Sequence, residues 1–217
     1  MSYIDALYKK DEDKIYVVER DPKKGRVFVE YDARYVFYYE DARGKHRSMT
    51  GEPLQRVQCA TQKEFIKEQR IRSNKKLYEQ DINPVFRCLE ENYLGKETPK
   101  LNVMFFDIEV DFDPDRGYST TDDPFMPITA ISCYMSWTDQ LVTFAVPPKT
   151  ISMQDAKVLT ERFPNCMLFE KEKDMLDAFL QLVEDADILS GWNSEGYDIP
   201  YTVGRIQKVL SSDDTRR

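Results

Sequence analysis

The sequence predicts a mixed α/β domain over residues 98–217 behind a smaller α+β domain over residues 1–97, and three observations carry that expectation. The strongest strand signal in the chain, residues 102–110, follows directly on a break in pattern at Gly95-Lys96-Glu97-Thr98-Pro99. Beyond it the hydrophobic period changes from strand to helix and back. Charge divides at the same place: residues 1–100 hold 21 basic and 18 acidic side chains, net +3, whereas residues 101–217 hold 10 and 21, net −11. A chain of 217 residues is long enough for two such domains.

In the first part, residues 15–20 and 26–31 read as strands flanking Asp21-Pro22-Lys23-Lys24-Gly25, a hairpin signal by its length and its Pro and Gly. Residues 34–40 form a third strand, rich in aromatic and β-branched side chains, closed by Asp41-Ala42-Arg43-Gly44. Thr61 opens a T-x-x-E capping box, which predicts a helix to about Ile71. This helix and its tail are basic, with Arg70, Arg72, Lys75 and Lys76; an RNA-binding face and a solvated helix face both fit.

In the second part the order is strand 102–110, loop 111–127, strand 128–136, a turn at Trp137-Thr138-Asp139, and strand 140–146. The tight and open loops make these antiparallel. Residues 172–186 then place Met175, Phe179, Leu182 and Val183 on one helical stripe, a short buried strand follows at 187–191, and a last helix runs from about 199 to 210. Strand, strand, strand, helix, strand, helix is the opening order of an RNase H-like fold.

Val103-Met104-Phe105-Phe106 is a continuous apolar run, as in a strand buried on both faces, and it leads into Asp107-Ile108-Glu109. Side chains two apart on a strand share a face, so Asp107 and Glu109 point the same way. Adjacent carboxylates repel and resist desolvation, and a divalent cation with oxygen ligands is the natural compensator. The spacing equally fits a strand that ends at Phe106 with its acids in water. Downstream, Gly191-Trp192-Asn193-Ser194-Glu195-Gly196-Tyr197-Asp198-Ile199-Pro200 runs from a buried strand into a helix. Asp198 there fits an N-cap as well as a ligand. Capping does not account for Asn193 and Tyr197.

Phe106-Asp107-Ile108-Glu109 resembles the first exonuclease motif of family B DNA polymerases, F-D-I-E, and Asn193 to Asp198 resembles the second, N-x-x-x-(F/Y)-D. Pro127-Ile128-Thr129-Ala130-Ile131, Gly191-Trp192-Asn193 and Asp198-Ile199-Pro200-Tyr201 look like the T-even bacteriophage branch. The resemblance covers residues 101–210, and the first hundred more loosely through Gly51-Glu52-Pro53 and the helix after it. It implies an RNase H-like 3′→5′ proofreading exonuclease in which Asp107, Glu109 and Asp198 bind two divalent ions, Mg²⁺ or Mn²⁺. Asp107 would bridge, Glu109 would serve the water side and Asp198 the leaving-group side. Asn193 would contact the terminal nucleotide, and Phe105, Phe106 or Tyr197 would pack on unstacked bases of a single-stranded DNA 3′ end, although core packing fits each phenylalanine too.

The family's third motif, Y-x-x-x-D, should follow the last helix, and the sequence stops at Arg217. The expectation is therefore a fragment of a DNA polymerase, or one piece of a split polymerase, whose isolated chain binds metal weakly and cleaves slowly or not at all. The remaining polymerase chain is then a partner, and the cytoplasm of an infected bacterial host the location. Two other classes fit less of the sequence. One is a non-catalytic module in which the first domain binds RNA or a partner chain; the other is a free-standing exonuclease, whose only later acids would be Asp213 and Asp214. No apolar run approaches the roughly 18 residues of a membrane span, and the N-terminus lacks the apolar core of a secretory signal. Cys59, Cys88, Cys133 and Cys166 form no C-x-x-C pair and His46 is the single histidine, which disfavours a zinc site and suggests reduced packing cysteines.

Overall fold

A computed structural model describes residues 2–21 and 23–216; Pro22 of the predicted turn and Arg217 lie outside the described residues. The chain divides into two compact units, one ending at Lys100 and the other beginning at Leu101.

In the first unit, β1 (Tyr3–Lys9), β2 (Lys14–Asp21) and β3 (Gly25–Asp32) form an antiparallel meander. The predicted β2–β3 hairpin is present. Asp21 accepts the Lys23 and Lys24 N–H groups at 2.8 Å each, and Gly25 supplies the left-handed backbone at φ 74°. A second sheet joins β4 (Tyr35–Glu40), β5 (His46–Arg47), β6 (Pro53–Cys59) and β7 (Leu77–Tyr78) in the order β5-β6-β4-β7. Helix α1 (Gln62–Ile71) starts as the capping box requires: Thr61 Oγ1 accepts the Glu64 N–H at 3.2 Å, and Glu64 accepts the Ala60 N–H at 3.1 Å. Helix α2 (Pro84–Tyr93) was not expected, although Asn83-Pro84 is a helix start, and Asn83 Oδ1 does accept the Val85 N–H at 3.0 Å. Ile15, Val17, Ala33, Tyr35, Cys59, Cys88 and Tyr93 form a core here.

The second unit is built on one five-stranded sheet. Its strands are β8 (Val103–Val110), β9 (Ile128–Met135), β10 (Gln140–Ala145), β11 (Cys166–Leu168) and β12 (Ile188–Ser190), in the order β11-β10-β9-β8-β12. β8, β9 and β10 pair antiparallel as expected, and the two edge strands pair parallel to their neighbours. Helices α3 (Met153–Thr160), α4 (Glu172–Val183) and α5 (Asp198–Val209) and a 3₁₀ turn at Asp214–Arg216 complete it. Met104, Phe106 and Ile108 of β8, with Ile131, Cys133 and Met135 of β9, pack under Met175, Leu176, Phe179 and Leu180 of α4 and Tyr201 and Ile206 of α5.

The other face of β8 is open, which corrects the expectation of a strand buried on both sides. Burial alternates strictly: Met104, Phe106 and Ile108 face the core, while Phe105, Asp107 and Glu109 are exposed. The uniformly apolar run concealed a period of two that an antiparallel strand with one solvated face obeys. All four cysteines are free, and burial pushes the Cys133 thiol up to about 12. Among the described residues no helix is long and apolar enough to cross a membrane.

Candidate acidic site on the open face of the sheet

Asp107 and Glu109 stand two residues apart on the exposed face of β8, opposite Ser132 and Ala130 of β9. Small neighbours leave both carboxylates uncovered. The third acid arrives from another element. β12 pairs with β8 only as far as Ser190 opposite Phe105. Beyond that point β12 no longer pairs with β8, and the Ile108 N–H donates to Asp198 Oδ1 at 3.2 Å. The buried Asp198 carboxyl is thus bonded to the backbone between the two exposed acids.

Gly191 makes this approach possible. A Cβ there would lie 2.3 Å from the Phe106 carbonyl oxygen, so the chain leaving β12 can pass β8 only without a side chain. Replacing Gly191 with Ala should force the segment off the sheet and cost about 1–3 kcal/mol, as overpacking of a tight backbone contact does. Chemical denaturation measures this, and a loss of Ile108 amide protection should accompany it.

The segment then turns through Asn193, whose backbone is left-handed at φ 55° and whose carbonyl accepts the Gly196 and Tyr197 N–H groups at 3.0 Å each. Asn tolerates that conformation better than most residues, so the turn itself gives Asn193 a local reason to be there. Asn193 is exposed, and Tyr197 is half-buried and stacked on Tyr201 with ring centroids 5.3 Å apart. Tyr197 is the backbone N-cap of α5 and makes no side-chain capping bond. Asp198 is therefore the first helical residue and reaches to the sheet, so the N-cap alternative is set aside.

Burial raises the Asp198 pKa above the ordinary 3.8, and the nearby Asp107 charge adds to that; the Ile108 N–H opposes it. A carboxyl with a raised folded-state pKa contributes stability below its unfolded value that is lost as pH rises through the folded value. Asp198→Asn keeps an oxygen for Ile108 and carries no charge. In metal-free buffer it should remove that loss of stability above pH 3.8, so thermal unfolding of the variant across pH 4–7 should decline less steeply than that of the wild type. An equal slope in both would contradict this.

The donor set fits a hard divalent cation in kind, since all three side chains offer carboxylate oxygens. In geometry it is looser: among the described residues no three His, Cys, Asp or Glu side chains stand close enough together to hold a metal ion. The structure brings Asp198 between the β8 acids but turns its Oδ1 to the backbone. Convergence of the three carboxylates around one pocket is not found in this arrangement.

Phe106 requires a correction. It is 4% exposed and packs on Phe179 with centroids 5.6 Å apart, on the core face, so it cannot reach a base. Phe105, 47% exposed, shares the carboxylate face and lies beside Tyr134 at 6.4 Å. The alternation of β8, once its register is known, distinguishes the two. Exposed Trp192 and the contacting pair Phe112 and Tyr118, 4.9 Å apart, are further aromatics that the sequence reading did not single out. The basic residues after α1 are largely engaged: Arg72 pairs with Glu68 at 2.5 Å, Lys75 with Asp41 at 3.7 Å and Lys76 with Glu40 at 4.0 Å. Their cations also lie over Tyr39 and Tyr78, aromatic neighbours that were not evident in the sequence.

Comparison with known proteins follows the same lines. The chain is 38% identical over 53 residues to the DNA-directed DNA polymerase of Enterobacteria phage T4, covering 24% of this chain and 6% of that protein. It is 31% identical over 137 residues to the DNA-directed DNA polymerase of Escherichia phage RB69, covering 54% of this chain and 15% of that protein. The matched segments thus take up 15% or less of these relatives' length. Residues 55–216 match the exonuclease domain of DNA polymerase family B, and the chain belongs to that family.

Proposed function

We propose that this chain carries the acidic core of a proofreading site that hydrolyses the 3′-terminal phosphodiester of DNA, within an RNase H-like domain preceded by the N-terminal domain of a phage-type polymerase. The observation that carries this reading is the buried Asp198 carboxyl docked on the Ile108 N–H between exposed Asp107 and Glu109. Asp107, Glu109 and Asp198 would hold Mg²⁺ or Mn²⁺, which when bound lowers the pKa of an attacking water and offsets charge on the leaving oxygen. The protein's own contribution is to set Asp107 and Glu109 on the open face of β8 and to bring Asp198 to the backbone between them. Asp107, the β8 acid whose charge adds to the raised Asp198 pKa, is the one assigned to bridge. With Asp198 Oδ1 accepting the Ile108 N–H, its other carboxylate oxygen would serve the leaving-group side, and Glu109, exposed on β8, would serve the water side.

The open face admits a single strand, and its exposed aromatics offer stacking surfaces to unpaired bases. A paired terminus must melt first, and a mismatched one melts more cheaply. The test is release of the terminal nucleotide from a 3′-labelled single-stranded oligonucleotide with Mg²⁺. It is run on this chain and on the chain extended along its reading frame through the next Y-x-x-x-D. Mg²⁺-dependent release by the extended form supports the reading, and release by neither form contradicts it.

A further inference from the structure

Between the Glu109 end of β8 and the start of β9 lies the loop 111–127, closed at its base by the Asp111 N–H donating to the Pro127 carbonyl at 3.0 Å. Its second half is held by α5. Arg205, 8% exposed, donates from Nη1 to the carbonyls of Pro124 at 3.0 Å and Phe125 at 3.3 Å. Its Nε donates to Glu172 Oε1 at 2.8 Å, and its Nη2 pairs with Glu172 Oε2. Glu172 Oε1, at the first residue of α4, also accepts the Ile128 N–H at 2.8 Å. Fully buried Tyr201 donates to the Met126 carbonyl at 2.8 Å. Gly204 lets the helix sit against Pro124, whose Cγ would be 2.7 Å from a Cβ at that position.

We propose that Arg205 and Glu172 are positioning residues for the acidic site: their ion pair locks the loop leaving the Glu109 end of β8 onto α5 and so fixes Asp198 against the backbone between Asp107 and Glu109. The inference rests on the reading of those three acids as the site. Arg205 lies about two turns along α5 from Asp198, roughly 10 Å, on a helix of regular pitch. The start of that helix has no side-chain cap of its own. Its N-terminus is held by the Asp198–Ile108 bond and by the Ile199 N–H donating to the Ser194 carbonyl at 2.9 Å, and farther along the helix by the clamp. One bond at 3.2 Å does not survive a helix shift of an ångström, and displacements of that size are what catalytic sites tolerate least.

Amide hydrogen exchange at Ile108 reads this contact without reference to hydrolysis. In Arg205→Ala, exchange at Ile108 should accelerate about tenfold more than at Ile131 and Cys133 of β9, which would report only a general loss of stability. Glu172→Gln should shift Ile108 in the same direction and to a smaller extent, and it carries the test if Arg205→Ala does not fold. Arg205→Lys, which retains the charge but not the forked donors, should fall between wild type and Glu172→Gln. Equal acceleration at all three amides, or none at Ile108, overturns the positioning role. Asp198→Ala separates the two layers of the argument. Loss of Ile108 protection there, with none in the clamp variants, removes only the positioning role, whereas unchanged protection in Asp198→Ala removes the site itself.

Discussion

In the chain extended through the next Y-x-x-x-D, Asp107→Ala is expected to lower Mg²⁺-dependent 3′-terminal hydrolysis by about a thousandfold or more, the consequence of losing several kcal/mol of charge stabilisation at the reacting phosphate. Asp107 combines two properties that do not occur together in either of the other two acids. It is exposed on the open face, and it is the β8 acid whose charge reaches the buried Asp198. Stability should move little, because an exposed strand carboxylate opposite Ser132 supports no packing. Asp107→Asn should be nearly as inactive, since shape is kept and charge is lost. Single-turnover kinetics on a labelled oligonucleotide, beside a denaturation curve for each variant, separate the two effects. Activity within tenfold of wild type in Asp107→Ala would contradict the assignment.

The largest stability effect should come from the Arg205–Glu172 pair. Both side chains are about nine-tenths buried, at 10% and 11% exposure, so removing one partner leaves an unpaired charge in a poorly solvated place. Arg205→Ala should cost about 3–5 kcal/mol, as breaking a buried ion pair does. Glu172→Ala should cost a similar amount, because the Ile128 N–H loses its acceptor as well. Replacing both with apolar side chains should cost less than the two single changes together, since no charge is stranded, although the Pro124 and Phe125 carbonyls lose their donor. Urea denaturation of the four proteins gives the coupling energy. Additive costs would show that the pair does not act as a unit.

The sequence made the central architecture legible wherever one residue's neighbours in the chain decide its environment. Apolar runs and turn residues gave β8, β9 and β10, a 3.6-residue stripe gave α4, and Thr61 with Glu64 gave the start of α1. Elements without such a local signature escaped. α3 buries only Ala156 and has no stripe to read, and β11 is three residues long and defined by its parallel pairing with β10. β1 carries apolar side chains among its exposed positions, Tyr3 and Leu7, so its period was blurred. The site divides in the same way. Asp107 and Glu109 sharing a face follows from strand geometry, whereas Asp198 meeting the Ile108 N–H depends on where β12 stops. The roles of Phe105 and Phe106 were interchangeable until the register was known. The clamp was invisible, because Glu172 and Arg205 are 33 residues apart and no periodicity links them.

The claim on which these results depend is that Asp107, Glu109 and Asp198 serve one cation. Paramagnetic broadening by substoichiometric Mn²⁺ tests it most directly, with each of the three carboxyl carbons observed by NMR at low salt. The account predicts that all three signals broaden together and that Asp107→Ala abolishes the effect at the other two. Broadening centred on the other acids of loop 111–127, with Asp198 untouched, would contradict it.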